Sequence, residues 1–198
     1  MDGVSLSGER VLLRKSTPHD HAELARIFSD PAVMEFLQGL QNGPAGWTLE
    51  QVAQREATFE RLQKLGKALT FVVADKRTSL VLGTCGFHLL AALNRSAQFG
   101  IILDRPGWGR GVAAECHLLC FGYAFETLGM HRIEMETDAR NVRMRGFLAG
   151  VGIGQEFVRK ESLFEGGAFS DSVGYACFDR DWARVKDALT ERRDGQQR

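Results

Sequence analysis

Residues 97–128 read AQFGIILDRPGWGRGVAAECHLLCFGYAFETL, and their reading decides the fold. The apolar run 99–103 reads as a buried strand. It stops at Asp104-Arg105-Pro106, because proline removes a backbone donor and restricts the residue before it. Gly107-Trp108-Gly109-Arg110-Gly111 follows, and a helical pattern then runs from Val112 to about Leu128. A strand, a glycine-rich turn and a helix N-terminus together make an anion site. The first N–H groups of a helix lack partners, its dipole is positive there, and glycines let backbone approach a ligand. Arg110 adds a fixed charge suited to phosphate. A phosphate or pyrophosphate is therefore expected on the N–H groups of Gly109, Arg110, Gly111, Val112, Ala113 and Ala114. The plain alternative is a tight turn followed by an ordinary capped helix.

Spacing separates the nucleotide-binding patterns that use this physics. A P-loop needs G-x-x-x-x-G-K-[ST], and no such run exists here. Gly109-Arg110-Gly111-Val112-Ala113-Ala114 fits the dinucleotide fingerprint G-x-G-x-x-[GA], with Glu134 or Glu136 downstream to meet a ribose. That fingerprint should follow its strand directly, whereas Asp104-Arg105-Pro106 intervenes. A third pattern, [QR]-x-x-G-x-[GA], is fitted by Trp108-Gly109-Arg110-Gly111-Val112-Ala113 with tryptophan in the first slot.

At 198 residues, with 44% hydrophobic and 25% charged residues, the chain suits one soluble domain with a substantial core. Lys+Arg and Asp+Glu are both 25, so net charge points to neither a nucleic-acid nor an anionic-membrane partner. No apolar run approaches the roughly 18 to 20 residues of a membrane span. The opening MDGVSLSGER lacks the basic segment and apolar core of a signal peptide, so a cytoplasmic location is the expectation. Cys85, Cys116, Cys120 and Cys177 form no C-x-x-C pair. They are expected to pack as small apolar residues with no metal, although Cys116, His117 and Cys120 share a helix.

The rest of the chain alternates in pattern. Residues 9–15 read as a first strand. A helix is expected over about 18–29, and a short helical segment over 32–37. Residues 38–46, with three glycines, read as a mobile loop near an acceptor entrance. Thr48 and Gln51 form a capping box for a helix that stops at Gly66. Strands follow at 69–75, 80–90, 97–103 and 130–137. A short helix is expected from Asn141 to about Gly150, then strands at 151–159 and 171–178. Trp182, Val185 and Leu189 mark a last helix, and ERRDGQQR reads as a solvated tail. The order is mixed α and β.

Several of these segments, in this order, resemble the GNAT superfamily of N-acetyltransferases, and within it the RimJ/RimL branch of ribosomal-protein N-terminal acetyltransferases. Glu9-Arg10-Val11-Leu12-Leu13-Arg14 is similar to the family's opening strand, and Phe28-Ser29-Asp30-Pro31-Ala32-Val33-Met34 to its first helical hairpin. Leu82-Gly83-Thr84-Cys85-Gly86 resembles its third strand. Trp108-Gly109-Arg110-Gly111-Val112-Ala113-Ala114-Glu115 resembles its acetyl-CoA loop. His131-Arg132-Ile133-Glu134 and Thr137-Asp138-Ala139-Arg140-Asn141 resemble its fifth strand and the asparagine that follows.

The resemblance implies an α+β fold of the acyl-CoA N-acyltransferase type. Its sheet would have six to seven mostly antiparallel strands flanked by helices, splayed between the fourth and fifth. Residues 1–198 would form a single domain, with a core over about 9–182 and a C-terminal helix and tail over 181–198. Main-chain groups of Ile101, Ile102 and Leu103 would pair with the pantetheine amides of acetyl-CoA, as an added strand does. Trp108 and the amides of Gly109, Arg110, Gly111, Val112, Ala113 and Ala114 would hold the pyrophosphate. Asn141 would contact the pantetheine arm or cap its helix, or both. The acceptor would be a primary amine, a protein N-terminus or a small molecule, attacking the thioester directly. A homodimer through the C-terminal strands fits this family.

The proton route is where the chain departs from these relatives. Gln98 stands where many carry glutamate, and Met144 where serine is common near the thiol. Glu136 and Glu156 are the candidate bases, each also readable as a salt-bridge partner, and His88 is a further candidate or a structural histidine. A non-catalytic acyl-CoA-binding protein of the same fold is the alternative that Gln98 and Met144 leave open. A dinucleotide-binding oxidoreductase rests on the weaker glycine fingerprint alone.

Overall fold

The computed structural model describes residues 3–37, 46–165 and 167–195. Its described strands join one eight-stranded sheet in the order β1-β2-β3-β4-β5-β6-β8-β7. These are β1 (Leu6–Ser7), β2 (Val11–Arg14), β3 (Leu69–Asp75), β4 (Val81–Ala91), β5 (Ser96–Leu103), β6 (Arg132–Asp138), β7 (Gly154–Glu165) and β8 (Ala168–Phe178). The count exceeds the expected six to seven because Leu6–Ser7, too short to carry an alternation signal, adds an edge strand. All neighbours run antiparallel except β5 and β6, which run parallel.

That parallel pairing is brief. Its register joins Ser96 to Arg132, Ala97 to Ile133 and Gln98 to Glu134, and ends there. Beyond Gln98, β5 continues to Leu103 against β4 alone, while β6 continues to Asp138 against β8 alone. The sheet therefore splays between its two longest halves, as the resemblance implied.

The helices are α1 (His21–Phe28), α2 (Pro31–Met34), α3 (Leu49–Lys64), α4 (Val112–Gly122), α5 (Val142–Gly150) and α6 (Trp182–Gly195). The larger core packs α4, α5 and α6 on one face, through Phe87, Phe99, Cys120, Phe121, Ile133, Leu148 and Leu189. Each such large side chain contributes about 1.5 to 3 kcal/mol by leaving water. The smaller core packs α1, α2 and α3 on the other face, through Leu24, Ile27, Phe28, Val52, Val72 and Ile102. All four thiols are buried, with Cys85 and Cys120 sulfurs 3.9 Å apart, as expected of small apolar residues.

Local chemistry sets the element ends. Thr48 and Gln51 close the expected capping box on α3. Asp30 caps α2 at the Ala32 N–H with Pro31 in the first turn. The helix expected over 18–29 begins as a 3-10 turn, Pro18–Asp20, where Asp20 is held by Arg14 at 2.7 Å. The central helix leaves α geometry at Tyr123 and widens into a π turn through Thr127. The loop expected at 38–46 lies outside the described residues, apart from Gly46.

Candidate functional site

The splay opens into a cleft of about 500 Å³. One wall is Ile101, Ile102 and Leu103 of β5 with Gly107, Trp108, Gly109, Gly111, Ala113 and Ala114. The facing wall is Asn141, Arg143, Met144 and Phe147 around α5, and Arg192 of α6; residues 32–37 close a third side.

The strand wall carries free backbone. The Asp104 N–H donates to the Leu82 carbonyl at 2.8 Å. By the alternation of an antiparallel ladder, Ile102 also turns its backbone groups to β4, and Ile101 and Leu103 turn theirs to the open side. Ile102 thus lines the cleft with its hydrogen-bonding groups committed elsewhere, a correction to the expectation that all three would offer main chain. At Leu103 the carbonyl already accepts the Trp108 indole N–H at 2.7 Å.

The turn after β5 is anchored from two sides. Buried Asp104 accepts the Arg105 N–H at 2.8 Å and pairs with Arg26 of α1, while Arg105 pairs with Asp30 at 2.9 Å. These contacts aim the start of α4 at the cleft. Its cap is Gly111, at φ 76°, which brings no side chain to the first turn. The first bond of the helix runs from the Glu115 N–H to the Gly111 carbonyl at 3.0 Å. Among the described residues, the N–H groups of Val112, Ala113 and Ala114 are left as its orphan donors. A methyl group at Gly111 would also lie 2.8 Å from the Arg193 carbonyl oxygen, so glycine is required twice over.

One expectation for this loop, the side-chain charge of Arg110, needs correcting. Arg110 does not line the cleft; its guanidinium is exposed and donates to the Pro106 carbonyl at 3.3 Å. The Val112 side chain packs into the larger core, leaving only its amide for a ligand. The cleft's cations come from elsewhere. Arg143 lays its guanidinium carbon 4.0 Å from the centroid of the Trp108 ring, and Arg192 reaches in from α6. Neither was singled out from sequence. Arg143 follows the noted Asn141 by two, which was the available signal, whereas Arg192 sits in a stretch that read as a solvated tail.

Asn141 is the cap of α5. Its Oδ1 accepts the Met144 N–H at 3.1 Å and its Nδ2 donates to Thr137 at 3.1 Å, while the residue also lines the cleft. Both anticipated roles are compatible with this placement.

The candidate bases stand apart from the cleft lining. Glu136 accepts from Arg159 at 2.8 Å and from the Ser172 hydroxyl. Glu156 is forked by Arg132, which also holds Glu134 at 2.9 Å. Each is therefore a salt-bridge partner, the plainer of its two readings. Gln98 occupies the last parallel rung, opposite Glu134. His88 packs its ring against Gly100 and Phe59, and burial, then the charge of Arg55, pushes it down to about 4. It is neutral at neutral pH and a weak base. Among the described carboxylates, Glu35 alone lines the cleft, and sequence reading passed over it because it follows a four-residue helix without any pattern.

A family model, the acetyltransferase (GNAT) domain, matches residues 10–153. The chain belongs to the GNAT acetyltransferase family. It is 27% identical over 179 residues to the uncharacterized N-acetyltransferase p20 of Bacillus licheniformis, covering 90% of this chain and 98% of that one. It is 27% identical over 171 residues to the uncharacterized N-acetyltransferase YoaA of Bacillus subtilis, covering 86% and 94%. In fold it is similar to Mycobacterium smegmatis RimJ in complex with CoA-disulfide, with a TM-score of 0.83 at 19% identity over 98% and 95% of the two chains. This GNAT member is an N-acetyltransferase, and acetyl-CoA is the co-substrate of its family. No described helix is long and apolar enough to cross a membrane.

Proposed function

We propose that this GNAT member moves an acetyl group from acetyl-CoA to a primary amine, on a protein N-terminus or a small molecule, by direct attack in a ternary complex. One observation carries the reading: two sets of unsatisfied backbone groups meet in one cleft. The Ile101 backbone and the Leu103 N–H present the free edge of β5, suited to amides of an extended arm. The first-turn N–H groups of α4 lie at the end of that edge, suited to a diphosphate. Residues 1–198 act as one domain on this reading, in the cytoplasm, and a homodimer remains part of it.

In the reaction the amine nitrogen forms a C–N bond to the thioester carbonyl carbon as the C–S bond breaks. The ammonium proton must leave before attack, and the thiolate must gain one. Glu136 and Glu156 are held by arginines, and Met144 brings no hydroxyl. Water in the cleft, with Glu35 to attract the incoming ammonium, is the route these residues favour. Gln98, on the last paired rung, marks the closed end of the cleft and takes no proton. The free backbone of Ile101 or Leu103 supplies the oxyanion donor.

Calorimetric titration with acetyl-CoA is expected to give a dissociation constant near micromolar. Thiol release against an amine panel should then show turnover, with Glu35→Gln raising KM for a cationic acceptor roughly two- to fivefold. Absence of acetyl-CoA binding would overturn the assignment. Binding without turnover on any amine would favour the non-catalytic alternative.

A further inference from the structure

Arg192 is an unusual residue to find in the lining of this cleft. It lies in the last turn of α6, far along the chain from the glycine loop, yet shares a cavity with Gly109, Gly111 and Ala114. Its stem is half-buried and its guanidinium carbon sits 5.3 Å from the Phe147 ring centroid. A methyl at Gly150 would lie 2.9 Å from its Nη1, so the side chain is seated closely against α5. Its Nε is buried without a hydrogen-bond partner. Among the described residues no carboxylate pairs with it, whereas neighbouring Arg193 is held by Asp194 at 2.7 Å and Glu9 at 3.1 Å. An unpaired guanidinium with a desolvated donor costs stability unless an anion completes it. The anion end of the cleft adjoins it, because the Arg193 carbonyl packs on Gly111 at the start of α4.

We propose that Arg192 binds a phosphate of the acetyl-CoA co-substrate, so that the C-terminal helix supplies the cation that the glycine loop lacks. The proposal rests on the acetyl-CoA reading of the cleft. Arg110 does not line the cleft and donates to the Pro106 carbonyl instead, and Trp108 occupies the loop slot where a charged or amide side chain would stand. A guanidinium delivered by α6 restores the charge from the opposite wall, with a planar fork matched to phosphate oxygens.

The test is calorimetry on the full chain with three ligands: acetyl-CoA, acetyl-dephospho-CoA and S-acetylpantetheine. Arg192→Met keeps an apolar stem against Phe147 and removes the charge; Arg192→Lys keeps the charge and loses the fork. Arg192→Met is expected to weaken acetyl-CoA roughly tenfold or more, with Arg192→Lys falling between it and the unaltered chain. If the 3′-phosphate is the partner, the preference for acetyl-CoA over its dephospho form disappears in Arg192→Met. If the diphosphate is the partner, both ligands lose the same factor. S-acetylpantetheine, which has no phosphate, should bind both proteins alike; an equal loss there would mark a merely structural role and overturn the proposal. Acetyl-CoA affinity of Arg192→Met within twofold of the unaltered chain would overturn it too. Failure of the unaltered chain to bind acetyl-CoA would instead defeat the reading of the cleft itself.

Discussion

Two helices begin at the cleft, and they begin differently. At α5, Asn141 turns its side chain onto the Met144 N–H and satisfies the first turn from within the protein. At α4, Gly111 has no side chain to turn, and the first turn keeps its donors. An N-cap of Ser, Thr, Asp or Asn stabilises a helix by about 1 kcal/mol. Glycine in that place costs only a few tenths of a kcal/mol by comparison, and it leaves the first-turn donors of α4 with no acceptor from the cap side chain. The contrast separates a helix start closed by its own cap from one that lines the cleft without a side-chain cap.

The largest expected effect comes from erasing that contrast. Gly111→Asp would place a carboxylate over the free amides and force a side chain into left-handed backbone at about 1 to 2 kcal/mol. Acetyl-CoA affinity should fall roughly a hundredfold in a calorimetric titration, with a lower Tm. Unchanged affinity would mean the α4 amides hold nothing.

A smaller effect should follow at the boundary behind α5. Burial pushes the Asp138 carboxyl up, but bonds from the Arg140 side chain and backbone and from Ser170 outweigh it and hold the group at about 2, below its ordinary 3.8. A depressed value stabilises the fold above the unfolded value and is lost as pH falls through the folded one. Stability should therefore decline between about pH 4 and 2, and Asp138→Asn should remove roughly 2 kcal/mol of that dependence. Denaturant midpoints measured at pH 6 and pH 3 would check this, and an unaltered slope in the variant would contradict it.

The smallest effect sharpens the comparison from the other side. Asn141→Ala should cost about 1 kcal/mol, seen as a Tm lower by about 2 to 4 °C. Acetyl-CoA affinity should change by no more than roughly threefold, since the Asn141 oxygen is already spent on its own helix. An affinity loss matching that of Gly111→Asp would show that both helix starts bind the co-substrate.

Much of this architecture was legible from residue order. The apolar run at 69–75 is β3 residue for residue, and the strand, glycine turn and helix from 97 onward stand where their patterns placed them. Those segments carry strong local signals: β-branched runs, a proline stop and a glycine-rich turn. What escaped reading depended on contacts between distant segments. ERRDGQQR is charge-rich and read as solvent-facing, yet α6 runs to Gly195 because the Arg192 stem finds Phe147 and the Arg193 backbone finds Gly111. Arg110 was favoured for the phosphate by adjacency alone, and its guanidinium is bonded to the Pro106 carbonyl outside the cleft lining. The strand expected at 151–159 is shifted, to Gly154–Glu165, where a bulge after Arg159 lets it run past the expected end. His117, noted beside two cysteines, proves to be core: its Nδ1 meets the Ala113 carbonyl at 2.7 Å, and burial lowers it to about 4.

The short seam between β5 and β6 has a broader consequence. Three rungs join what are otherwise two plates, and beyond them neither strand has a partner on the other's side. With the pantetheine arm lying there, a metabolite would serve as a ninth strand, and the cell's supply of it would set part of the enzyme's resistance to unfolding. A ligand at a hundred times its dissociation constant adds about 2.7 kcal/mol to the folded state. In starvation the same plates would be held by their seam and the helices packed across them, coupling the lifetime of the catalyst to the abundance of its fuel.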